Sequence, residues 1–195
     1  MTNNINPVFT KNYYLFRRKF LKIFGASFHV YDKNGSLLFY SKQKAFKLRE
    51  DIRIYADESM SKELLLIKTP QILDFGATYN VNDPSTGETV GSIRRKFLKS
   101  LIKDQWVFLN AAGEEIGQMS ESSWLGAILS RFINLIPQTY HIKPLNSEKE
   151  DAELKMMFNP FILKYMVSVS VNPIIDRRMI VAAGVLLAAI ERRQQ

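Results

Sequence analysis

The densest chemistry in this chain is a run of cations. Arg94, Arg95, Lys96, Lys99 and Lys103 place five positive charges in ten residues with no acid among them. Arg presents a planar fork of donors that matches a phosphate, and Lys a compact point charge, so such a run is suited to holding anions. The run has an earlier copy: Arg17-Arg18-Lys19-Phe20-Leu21-Lys22 recurs letter for letter as Arg94-Arg95-Lys96-Phe97-Leu98-Lys99. The candidate phosphate or lipid-headgroup ligands are therefore Arg94, Arg95, Lys96, Lys99 and Lys103, with Arg17, Arg18, Lys19 and Lys22. Near an anionic bilayer each cation contributes about 1 kcal/mol, and five give about 5 kcal/mol, a sub-millimolar attraction before salt screens it. The bland reading is that Phe20, Leu21, Phe97 and Leu98 fill a core while the cations solvate the outside. Arg94, Lys96 and Lys99 are expected to contribute most if the segment binds.

Other chemistry is scarce. The absence of cysteine removes disulfides, thiolate nucleophiles and cysteine zinc sites together. His29 and His141 are the only histidines, and each lies in a strand-like run, where a hydrogen-bonded structural histidine is the expectation. Glu148, Glu150, Asp151 and Glu153 lack the spacing and the glycine of an EF-hand and read as a solvated loop. Asn34-Gly35-Ser36 matches a glycosylation triplet but falls in a turn. Phosphate-loop, dinucleotide and nucleophile-elbow motifs do not occur. The expectation is a protein that is not an enzyme, with no catalytic residue, metal or cofactor.

Several elements must position these residues. The chain has 195 residues, 46% hydrophobic and 24% charged, which suits one globular domain over residues 1–195. Residues 1–110 hold 18 Lys/Arg against 10 Asp/Glu, and residues 111–195 hold 9 of each, so the whole net charge of +8 lies in the first part. Residues 1–12 are expected as a loose tail. The first fifteen residues show no apolar leader, which points to a cytoplasmic protein, peripheral to a membrane at most and neither secreted nor membrane-spanning.

The apolar run over residues 179–190 is shorter than the roughly 20 residues a spanning helix needs, and it is apolar on every face. Its Ala and Leu content favours helix, so a helix over residues 177–191 sheathed by protein is predicted. Hairpins fill the rest. Phe28-His29-Val30-Tyr31 enters Asp32-Lys33-Asn34-Gly35, Trp106-Val107-Phe108-Leu109 enters Asn110-Ala111-Ala112-Gly113, and Tyr79-Asn80-Val81-Asn82-Asp83 enters Pro84-Ser85-Thr86-Gly87. Asp, Asn and Gly supply the turn dihedrals. With the repeated basic hexapeptide, these turns indicate internal duplication.

Leu64-Leu65-Leu66-Ile67, Tyr140-His141-Ile142, residues 154–158 and Val167-Ser168-Val169-Ser170-Val171 read as further strands. Trp124, Leu125, Ile128, Leu129, Phe132 and Ile136 fall at helical spacing, with Ser122 or Ser123 as cap and Pro137 as stop. Residues 90–97 are either a strand, with Arg94 and Lys96 on one face and Arg95 on the other, or the start of a helix with cations facing water. The pattern as a whole predicts a mainly β fold: a closed antiparallel β-barrel of about 12 strands around a central hydrophobic C-terminal helix, plus one surface helix.

The successive hairpins, the Gly87-Glu88-Thr89-Val90-Gly91 stretch and Asp176-Arg177-Arg178 leading into the apolar run resemble the LURP-one-related proteins. That family is grouped with the phospholipid scramblases and the tubby carboxyl-terminal domain. The resemblance runs from about Tyr14 to Arg193, implies a barrel wrapped around a central helix, and favours the strand for residues 90–97. Tubby domains bind phosphoinositides through basic side chains, and scramblases are linked to calcium and lipid movement. The resemblance thus implies an anionic membrane surface or phosphoinositide as partner. A protein-interaction scaffold using the helix around Trp124 and Ile136 is the first alternative. Nucleic-acid binding by the basic part is the second.

Overall fold

The computed structural model of the chain describes residues 5–19, 26–43, 51–69, 77–96, 105–122, 138–157 and 162–190. Twelve strands form one sheet: β1 (Tyr13–Lys19), β2 (Ala26–Tyr31), β3 (Leu37–Gln43), β4 (Ile52–Tyr55), β5 (Glu63–Lys68), β6 (Thr78–Asp83), β7 (Glu88–Lys96), β8 (Gln105–Leu109), β9 (Glu115–Glu121), β10 (Thr139–Pro144), β11 (Ala152–Met157) and β12 (Ile162–Val169). Each strand pairs antiparallel with its neighbours in sequence, and β1 pairs with β12 to close the barrel. Closure satisfies the backbone donors and acceptors that an open sheet leaves on its edges.

The terminal helix (Arg177–Ile190) supplies the barrel's core. It is buried on all faces from Met179 to Ala189, against inward side chains such as Phe16, Phe39, Ile54, Leu65 and Val167. An amphipathic helix would set polar groups against that lining, so the all-round apolar sequence and the enclosed position are the same fact seen twice. Gly184 lets the helix come close to β1: a Cβ there would stand 2.8 Å from the Phe16 ring.

The duplication is visible in space. In the closed order β1 and β7 are six places apart in twelve, on opposite sides of the barrel. The β1–β2 register pairs Leu15 with Tyr31, Phe16 with Val30 and Arg17 with His29, and the β7–β8 register pairs Ser92 with Leu109, Ile93 with Phe108 and Arg94 with Val107. These are the same pairs at the sequence offsets of the repeat. The turns match as well. Asp32 Oδ1 accepts from the amides of Asn34 and Ser36, Asn110 Oδ1 from those of Ala112 and Glu114, and Gly35 and Gly113 both take positive φ, 80° and 85°.

Three expectations change. Residues 5–12 are not a loose tail: Pro7–Thr10 is a 3-10 turn, and Phe9 is fully buried in the core beside Phe39. The last strand ends at Val169, and Val171 is 75% exposed. In the acidic cluster, Asp151 is buried, not solvated, because its Oδ2 accepts the amides of Ile174 and Ile175 and fixes the chain's entry into the helix. The predicted surface helix around Trp124 and Ile136 lies outside the described residues.

Candidate functional site

The strand reading of residues 90–97 holds through Lys96. Pleat alternation sends Ile93 and Arg95 inward and Arg94 and Lys96 outward. Arg95 is 8% exposed, with its guanidinium 5.5 Å from the ring centroid of Trp106, its register partner on β8. Outside, Arg94 Nη2 reaches Glu115 Oε1 at 2.8 Å and Lys96 Nζ reaches the same oxygen at 3.2 Å. One carboxylate therefore serves two cations, which lowers the positive charge that the sequence assigns to this segment. Lys99 and Lys103 lie outside the described residues, as does Lys22.

Arg17 occupies the corresponding outward place on β1, and its surroundings differ. Its guanidinium lies 5.5 Å from the ring centroid of Tyr31. Its register partner on β2 is His29, and its partner on β12 is Lys164. The second half has neutral residues in those places, Val107 on β8 and Thr78 on β6. Leu37 stands where the repeat puts Glu115. Among the described residues, neither Arg17 nor Lys164 forms an ion pair with a carboxylate. Arg18 and Lys19 end β1, in register with Leu163 and Ile162.

Each histidine is paired with a carboxylate. His29 Nε2 lies 2.7 Å from Glu58 Oε1, and His141 Nδ1 lies 2.6 Å from Glu150 Oε2. His141 and Lys143 together hold the Glu150 carboxyl below its ordinary value, outweighing its partial burial. Among the described residues, no group of three or more His, Asp or Glu side chains forms a metal site.

A charged knot closes the end where the helix starts. Arg178 is buried, and its Nη1 donates to Asp83 Oδ2 at 3.0 Å and to Glu88 Oε2 at 2.9 Å. Its Nη2 and Nε donate to Asp176, at 2.7 Å to Oδ2 and 3.1 Å to Oδ1. Burial works against the guanidinium's charge, and the bonds to Asp176, Glu88 and Asp83 outweigh it, so its pKa lies above the ordinary value. Burial likewise works against the Asp83 carboxylate, and bonds from Ser85 and Arg178 hold its pKa below the usual range. Arg177 fastens the same end, donating to the carbonyls of Lys11, Ser170 and Val171. Sequence reading missed this knot, because Asp83 and Arg178 are 95 residues apart.

A closed twelve-stranded antiparallel barrel with an apolar C-terminal helix inside it defines the structural class. A family model described as LURP-one-related matches residues 13–188, nearly all of that barrel, and the chain belongs to this family. The comparisons with curated proteins and with solved structures find no match. Among the described residues no helix is long and apolar enough to cross a membrane.

Proposed function

We propose that this protein is a non-enzymatic binding module that holds an anionic lipid headgroup, or another phosphorylated ligand, at a membrane surface. One observation carries the reading: the duplicated Arg-Arg-Lys segment sets Arg17 and Arg94 outward from opposite sides of a barrel whose whole charge excess, +8, lies in residues 1–110. Such charge favours a layer of phosphates over neutral surfaces. Membership of the LURP-one-related family is compatible with a binding module.

Flotation of the full chain with phosphatidylcholine vesicles, with and without phosphatidylserine or a phosphoinositide, tests the proposal beside duplex-DNA retention at the same salt concentration. Flotation with the acidic vesicles only is expected, and it should weaken as salt rises. A chain that never floats overturns the lipid reading, and one that retains DNA instead moves the function to nucleic acid. The scaffold alternative rests on residues around Trp124 and Ile136, outside the described part.

A further inference from the structure

The two halves of the barrel provide a matched comparison. Arg94 and Arg17 occupy the same register position on equivalent strands. Arg94 has neutral cross-strand neighbours and a carboxylate, Glu115, at 2.8 Å. Arg17 has Lys164 directly opposite, His29 on its other side and no carboxylate partner among the described residues. Like charges directly opposite on one sheet face destabilise the pair, so a fold with no use for the charge gains by placing a neutral or acidic residue there, as the second half does. The cationic row continues: Lys155 on β11 is in register with Met166, next to Lys164 on the same outward face.

We propose that the outer wall of β11, β12 and β1 is the face that docks on an anionic bilayer, with Arg17 and Lys164 sharing lipid phosphates. The inference rests on the lipid reading above and names its contact face. Around the cations lie side chains suited to the headgroup level: Tyr31 beneath Arg17, and half-buried Leu15 and Met166. Two carboxylates stand near these cations: Glu58, held by His29 beside the wall, and Glu153 within it, two residues from Lys155 on the same strand face. The convex outside of a barrel matches a plane of headgroups better than a single small anion, which needs a pocket.

The test compares two double variants of the full chain on phosphatidylcholine vesicles with and without phosphatidylserine. Arg17→Gln with Lys164→Gln removes two cations that have no carboxylate partner among the described residues and should weaken partition about 25-fold, at about fivefold per cation. Its melting temperature should hold or rise, because a like-charge pair is relieved. Arg94→Gln with Lys96→Gln leaves Glu115 unpaired and should weaken partition less. A third variant, Leu37→Glu, transplants the acid of the second half beside Arg17 at a position that is 38% exposed. It should reduce partition with both cations still present, and it decides the matter if the first variant loses stability. Partition unchanged in the Arg17/Lys164 and Leu37 variants, with loss in the Arg94/Lys96 variant, overturns this face and leaves the lipid reading standing. A parent chain that never partitions overturns the lipid reading itself.

Discussion

Arg178 shows how much one side chain's fate depends on partners distant in sequence. The chain presents it as one of three charges ahead of an apolar run. The fold buries it and surrounds it with Asp83, Glu88 and Asp176. A buried charge left without its partner is costly, so Arg178→Ala should lower unfolding free energy by about 3–5 kcal/mol, read by urea titration at neutral pH. Asp83 sets a pH dependence. Its folded pKa is depressed, so its contribution is fully present above the unfolded carboxylate value, about 3.9, and fades as pH falls through the lower folded value. Urea midpoints should therefore fall steeply below about pH 4. Asp83→Asn should weaken the protein at pH 7 and flatten that acid limb; an unchanged limb would place the sensitivity elsewhere.

At the level of elements, the hairpins were the most legible feature, because a turn needs only local chemistry. Asp32 and Asn110 each bond amides two and four residues ahead, and the glycine between takes the left-handed dihedral. The terminal helix was legible for a different reason: a segment apolar on all sides has no stable place in water. Its neighbours were not legible. The contact between Gly184 and Phe16 joins residues from opposite ends of the chain. Gly184→Leu should overpack it and cost about 1–3 kcal/mol, seen as a lower melting temperature. Val185 is fully buried, so Val185→Asp places an unpaired carboxylate in the core and should yield unfolded or aggregated protein. A soluble Val185→Asp variant with the parent melting temperature would mean that the helix is not enclosed.

At the scale of the molecule, the barrel and its helix exchange roles as container and core. Amide protons of residues 181–188 sit within a closed sheet, so their exchange requires the sheet to open. Native-state hydrogen exchange should give these amides the protection of global unfolding, above that of the turns at Asp32 and Asn110. Exchange of the helix at turn-like rates would show that the barrel opens locally around it. The sequence by itself determined the mainly β class, the enclosed helix, the repeat and, once a strand is assumed, that Arg94 and Lys96 share one face and Arg95 takes the other. These follow from local dihedral preference, period and the burial demand of apolar side chains. Only the tertiary structure decided that β1 closes against β12, that Arg17 faces Lys164 while Arg94 meets Glu115, that Phe9 enters the core, and that Asp151 and Asp83 secure the helix entry. Each of these is a register or a packing contact between segments distant in sequence, and a one-residue slip in register turns a side chain to the other face of the sheet. Composition and periodicity are blind to that slip; the closed ring of hydrogen bonds allows only one register.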